Sequence, residues 1–197
     1  MAERRFLTVS GVEKAIDETL VDKLGFSLRG RLLRPDDDDY DAVRRVWNGM
    51  VDKRPALIAQ CAASADVVDV VRFARAHELL VSVRGGGHNI AGKSVCEGGL
   101  MIDLSRMNRV SVDPQRTARV EGGARLGDLD RATQAFGLAT TAGVVTTTGV
   151  AGLTLGGGMG RLGRKHGLAC DNVISVELVT ADGRVLKASA DENPDLF

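Results

Sequence analysis

Glycine is spread unevenly along this chain of 197 residues, and that unevenness constrains the fold more than any other feature. Nineteen of its 24 glycines fall between Gly85 and Gly167. Glycine is the residue whose backbone is most costly to order, so a segment that keeps so many holds backbone that must come close to something. The rest of the composition is ordinary. It is 44% hydrophobic and 26% charged, which excludes wholesale disorder, collagen and coiled coil. A chain of this length makes about one domain and buries roughly 70% of its unfolded surface without a disulfide or metal staple. Twenty-six basic residues balance 26 acidic ones, so no nucleic-acid partner is expected. Cys61, Cys96 and Cys170 form neither a CxxC nor a zinc spacing and read as reduced thiols of a cytoplasmic protein. No apolar stretch follows Arg4-Arg5, where Glu13, Asp17 and Glu18 interrupt, so a twin-arginine signal is not expected. No run of 18 apolar residues occurs, so no membrane span is expected either.

Residues 1–33 read as a loosely patterned N-terminal arm, and Arg34-Pro35 followed by four aspartates reads as a solvated loop. A short helix is expected at 40–51. From residue 55 the chain alternates. Ala56 to Ala59 reads as a strand, and Ser64 caps a helix with Val67, Val70, Val71 and Ala74 on one face. Leu79 to Val83, Met101-Ile102 and Ala118 to Val120 read as further strands. A second helix is expected over about 126–136, with Leu126, Leu129 and Phe136 on one side. The alternation around Val176 and Leu178, then Asp182-Gly183 before Val185-Leu186, marks a hairpin. The fold class is therefore α and β mixed in one domain.

Two glycine-rich loops carry the chemistry. Arg84-Gly85-Gly86-Gly87-His88-Asn89-Ile90-Ala91-Gly92 follows a strand. Successive glycine N–H groups there suit either a plain tight turn or an anion nest for a diphosphate. Arg84 suits either a phosphate partner or a clamp on the loop. His88 directly follows the triple glycine, and a neutral imidazole is a usable nucleophile, general base or ligand. His77 and His166 read as structural or surface residues. The second loop runs from Thr148-Gly149-Val150-Ala151-Gly152 through Gly156-Gly157-Gly158 to Gly167-Leu168-Ala169-Cys170-Asp171-Asn172. Gly158, Gly160 and Gly163 match GxGxxG, with Asp182 19 residues further on, so an NAD(P)-binding Rossmann turn has to be weighed. Such a turn follows a strand and opens an amphipathic helix. Here glycines stand on both sides, and two separated glycine-rich stretches suit a long dinucleotide better.

Taken with Asp103-Leu104-Ser105, these segments resemble the FAD-linked oxidases of the vanillyl-alcohol oxidase and p-cresol methylhydroxylase type. Within that family they resemble the berberine-bridge-enzyme-like branch, which includes bacterial 6-hydroxynicotine-oxidase-like proteins. The resemblance runs from about Arg34 to Phe197. It implies an α+β FAD-binding domain over 34–197, made of two small α/β subdomains with FAD between them. It implies cofactor contacts from Arg84, Gly85, Gly86, Gly87, His88, Asn89, Gly92, Thr148, Gly149, Val150, Gly152, Gly156, Gly157, Gly158, Gly167, Leu168 and Asn172. It also implies an 8α-histidyl bond from His88 to the flavin. The implied activity is hydride transfer from a C–H bond beside an alcohol or amine of a small-molecule substrate to the flavin, with dioxygen or another acceptor.

Branch members with a second, cysteinyl link carry it just before the glycine pair that Gly149 and Gly152 resemble. Residues 143–147 hold no cysteine, so one covalent link at most is implied, and it is not carried onto Cys170. Arg161 stands where the branch often has an aromatic residue. The ending Asp191 to Phe197 resembles a stretch that in the family runs on into another glycine-rich segment. The chain is therefore expected to be truncated, with the substrate domain and its catalytic base outside it. The alternative expectation is a non-catalytic flavin-binding chain.

Overall fold

The computed structural model describes residues 2–113 and 115–197. Its first strands, β1 (Glu3–Leu7) and β2 (Glu13–Asp17), form an antiparallel hairpin that leads into helix α1 (Glu18–Ser27). The Asp17 carboxylate caps that helix by accepting the Thr19 N–H at 2.9 Å. β3 (Arg31–Leu33) then enters the main sheet. The N-terminal 33 residues are thus no loose arm, for Phe6, Ile16, Val21 and Leu24 are core residues. Each hairpin strand buries one large apolar side chain among charged neighbours, which hides the alternation from a reading of the sequence. The Asp66 carboxylate staples the segment in place, accepting the N–H groups of Arg29, Gly30 and Ala62 at 2.8–3.0 Å.

Helix α2 (Tyr40–Arg44) is shorter than expected, because Arg45 is already extended. β4 (Leu57–Gln60), α3 (Ser64–Ala76), β5 (Val81–Arg84) and β6 (Leu100–Asp103) follow. Ser64 begins α3 rather than capping it. Ala63 holds the cap position without a side-chain bond, and the Ser64 hydroxyl points to Glu177 at 3.4 Å. The sheet order is β3-β4-β6-β5, with β4, β6 and β5 parallel and β3 antiparallel to β4. Both faces are covered, as a parallel sheet requires. Leu57, Ala59, Leu100 and Ile102 pack with Val70 and Ala74 of α3 and with α1. On the other face Ile58 and Met101 pack with Leu33, Tyr40 and Val95. Each such aliphatic side chain contributes about 1.5–3 kcal/mol on full burial.

The second half is built from shorter pieces. β7 (Val110–Val112) pairs antiparallel with β8 (Ala118–Val120) and is followed by α4 (Leu126–Gln134), α5 (Val150–Leu155) and α6 (Gly163–His166). β9 (Ser175–Val179) and β10 (Val185–Ser189) form the expected hairpin, turning at Gly183 with φ +75°. α4 buries Leu126 and Leu129, but Phe136 lies beyond its end and is exposed. In open α/β sheets ligands bind outside the carboxyl ends of the parallel strands. The loop that begins at Gly85 leaves from that end of β5.

Candidate functional site

Arg84, the last residue of β5, anchors the first glycine loop. Its Nε and Nη2 grip the fully buried carboxylate of Asp103 at 3.0 and 2.9 Å. Asp103 also accepts from Gln60 Nε2 and from the Ser105 hydroxyl, each at 2.8 Å. Arg84 Nη1 donates to the carbonyls of Val43 and Arg45. Of the two roles the sequence left open for Arg84, this geometry takes the clamp.

The glycines are needed where two backbones cross. A Cβ on Gly86 would lie 2.2 Å from the nitrogen of Gly149, and one on Gly149 would lie 2.3 Å from the nitrogen of Gly86. Only hydrogen at both positions allows this approach. The 146–150 segment is fixed from behind. Thr148 and Thr146 accept the N–H groups of Leu126 and Gly127, and Val150 N–H donates to Ala124, with all three bonds at 2.9 Å. Residues 84–92 and 148–150, predicted separately, therefore meet in one place.

At that crossing stands His88, half-buried. Its ring stacks on Trp47, with centroids 5.3 Å apart and planes at 20°. Nε2 lies 3.0 Å from the Thr147 hydroxyl, and Nδ1 lies 3.5 Å from that of Thr148. Burial, and then the positive charge of Arg125, lower its pKa below the ordinary histidine value. The imidazole is therefore neutral at pH 7. The backbone N–H groups of Gly85 through Ala91 donate to no partner among the described residues. Asn89 closes the loop behind them, accepting the N–H of Gly92 on its carbonyl and that of Lys93 on its side chain, both at 3.0 Å. A run of successive backbone N–H donors suits an anion such as a diphosphate.

The second glycine stretch makes its own cluster. Gly158 and Gly157 accept the N–H groups of Ala169 and Cys170 at 2.9 Å. Leu168 N–H donates to Asp171, and the Asn172 amide bridges the carbonyls of His166 and Leu168. Asn172 thus holds its own turn. Gly152 meets no atom within 4 Å of an added Cβ, and Val150 is half-buried at the start of α5. No hydrogen bond joins this cluster to the His88 loop among the described residues. The GxGxxG match is no Rossmann turn. Gly158 follows a helix rather than a strand, Gly160 packs against the carbonyl of Ala142, and α6 is one turn long.

Sequence reasoning missed Trp47, Thr147 and Arg125 as neighbours of His88. Trp47 is the chain's single tryptophan, but nothing in local periodicity ties it to a loop 41 residues away. Thr147 hides in a run of three threonines.

Residues 55–189 match the family model described as FAD binding domain. The chain belongs to this FAD-binding domain family. Its cofactor is FAD. This FAD-binding chain is 43% identical over 172 residues to (R)-6-hydroxynicotine oxidase of Paenarthrobacter nicotinovorans, an alignment covering 87% of it and 38% of that relative. The crystal structure of 6-hydroxy-D-nicotine oxidase from Arthrobacter nicotinovorans matches with a TM-score of 0.84 at 43% identity, covering 86% of this chain and 38% of that one. Glucooligosaccharide oxidase from Acremonium strictum, whose FAD is 6-S-cysteinyl and 8α-N1-histidyl, matches with a TM-score of 0.81 at 33% identity, covering 90% and 38%. The FAD-binding chain thus spans 38% of the length of these relatives. Among its described residues no helix is long and apolar enough to cross a membrane.

Proposed function

We propose that this chain is the cofactor-holding part of an FAD-linked oxidoreductase that oxidises a C–H bond beside an alcohol or amine in a small molecule, with FAD attached through His88. The observation that carries the reading is the run of N–H donors from Gly85 to Ala91 without partners among the described residues, with the neutral His88 imidazole in its middle. FAD, when bound, supplies the acceptor for the hydride leaving the substrate. The chain's own residues do the rest.

Gly85, Gly86 and Gly87, with the N–H groups of His88 and Asn89, would hold the diphosphate by backbone donation. Gly92, with φ +68°, lets the loop return. Arg84 acts at one remove, by clamping the loop to Asp103. Thr148, Gly149, Val150 and Gly152 would line the flavin side, with Gly156 to Gly158, Gly167, Leu168 and Asn172 forming the adjoining wall. His88 would hold the flavin covalently. Its Nδ1, with only a long contact to Thr148, is the nitrogen open for that bond. One named relative is a 6-hydroxynicotine oxidase and another a glucooligosaccharide oxidase, which supports amine and alcohol substrates alike. Dioxygen or another acceptor would take the electrons onward. No residue of this chain is assigned as the base that receives the substrate proton.

The test is flavin fluorescence of the denatured protein on a gel, beside His88→Ala. A fluorescent wild-type band and a dark mutant are expected. Two dark bands would overturn covalent attachment, and two fluorescent bands would move it to another residue.

A further inference from the structure

We propose that Trp47 and Thr147 are positioning residues for His88, which together fix its ring plane and keep its proton on Nε2 so that the Nδ1 lone pair is the one presented. This rests on reading His88 as the residue that holds FAD. Trp47 has 65% of its surface exposed, so its indole is not there to fill the core. Its aromatic partner is His88. The segment carrying it is fixed at several points. Trp47 N–H donates to the Gly87 carbonyl at 3.0 Å, and Arg84 Nη1 holds the carbonyls of Val43 and Arg45. A buried carboxylate, Asp103, thus sets Arg84, and Arg84 sets the strand of chain from which the indole reaches the imidazole.

Thr147 supplies the second restraint. It stands between Thr146 and Thr148, whose carbonyls are tied to the start of α4. The Nε2–Oγ separation of 3.0 Å is that of a normal hydrogen bond, whereas 3.5 Å from Nδ1 to Thr148 is at the limit of one. A neutral imidazole carries one proton, and a threonine hydroxyl can accept from or donate to a ring nitrogen. With the proton on Nε2 and donated to Thr147 Oγ, the Nδ1 lone pair is free, which is the arrangement the proposed attachment needs. Stacking fixes the plane of the ring, and the Nε2 bond fixes its rotation within that plane. The two restraints together define where the Nδ1 lone pair points. Neither residue is buried, so their side chains can be changed without opening the core.

The experiment is long-range proton–nitrogen NMR of the three histidine rings in the flavin-free ¹⁵N-labelled protein, for wild type, Thr147→Val and Trp47→Leu, followed by addition of FAD to each and fluorescence of the denatured band over time. His77 and His166, on other elements, report whether each variant stays folded. In flavin-free wild type the His88 signal should be that of the Nε2-protonated tautomer. Thr147→Val should shift the ratio of the two neutral forms by roughly fivefold, the factor that corresponds to one ordinary hydrogen bond. Trp47→Leu should leave the tautomer in place, remove the ring-current shift on His88, and slow the appearance of fluorescence in the denatured band by about tenfold or more. An unchanged tautomer ratio in Thr147→Val, or wild-type incorporation in both variants, would overturn the proposal. If no variant and no wild-type band ever fluoresces, covalent attachment fails alone, because the tautomer and ring-current readings need no flavin.

Discussion

A single methyl group placed at residue 86 should separate the two glycine loops. An alanine Cβ there would lie 2.2 Å from the nitrogen and 2.5 Å from the Cα of Gly149. Ordinary contact begins at 3.4 Å, so the backbones must part by about an ångström. Neither side can yield by turning a side chain. One backbone is held by Arg84 on Asp103, and the other by the bonds from Thr146 and Thr148 to α4. Overpacking of this kind costs about 1–3 kcal/mol. The smaller conformational entropy of an unfolded alanine offsets at most about 0.4–1 kcal/mol of it. At about 2–4 °C per kcal/mol for a domain of this size, Tm should fall by several degrees. Gly152→Ala makes the same chemical change on α5, where no atom lies within 4 Å. It should instead stabilise by about 0.5–1 kcal/mol. Urea and thermal unfolding followed by circular dichroism would measure both. A Gly86→Ala protein as stable as Gly152→Ala would refute the idea that the glycines serve the crossing of the loops.

Other perturbations follow from the same contacts. Arg84→Ala leaves the buried Asp103 carboxylate without its counter-charge, which costs about 3–5 kcal/mol for a pair of this kind. A loss under about 1 kcal/mol in urea unfolding would contradict the clamp. Burial pushes the Cys61 thiol up to about 12 and raises that of Cys96, whereas Cys170 is exposed. An aromatic disulfide reagent should therefore titrate one thiol quickly in the native protein and all three after denaturation, and a second fast thiol would show the core to be open. Burial lowers the pKa of both His88 and His77 from the ordinary 6.5. The unfolded chain then binds more protons below pH 6.5, so stability should be full above that value and decline as pH falls through it. Urea midpoints at pH 7.5 and 5.5 would check this, with a flat or rising midpoint toward acid counting against it.

The parallel strands were legible because Leu57 to Ala59 and Leu100 to Ile102 are apolar on both faces, and α3 because its valines recur at helical spacing. The first hairpin was not, because a strand such as Glu-Arg-Arg-Phe-Leu presents one large buried residue and reads as polar. β7 was missed for a similar reason, being three residues long with nothing at its ends to mark it. The two glycine loops could be singled out as candidate sites from composition, but their meeting could not. The contact of Gly86 with Gly149 is between backbones, and backbone proximity leaves no trace in sequence beyond the glycine itself. Thr147 and Trp47 reach His88 only through the folded arrangement, so the histidine could be picked out and its neighbours could not.

The staple at Asp66 and the docking of the first hairpin also bear on how the chain is made. Leu7 N–H donates to the carbonyl of Gly98, Leu80 N–H donates to that of Leu7, and Lys14 reaches His77, 63 positions along. β3 closes one edge of a sheet whose later inner strand, β6, ends at residue 103. At a translation rate of about 5–20 residues per second, Phe6 and Ile16 wait roughly 5–20 s before the surface that covers them exists. The β1–β2 hairpin is local, but an isolated two-stranded hairpin is marginal in water. Such long-range closure slows folding and leaves early apolar side chains in need of protection during synthesis. A unit cut at residue 55, where the family match begins, would lose cover from both faces of the sheet, Phe6, Ile16, Val21 and Leu24 from one and Leu33 and Tyr40 from the other.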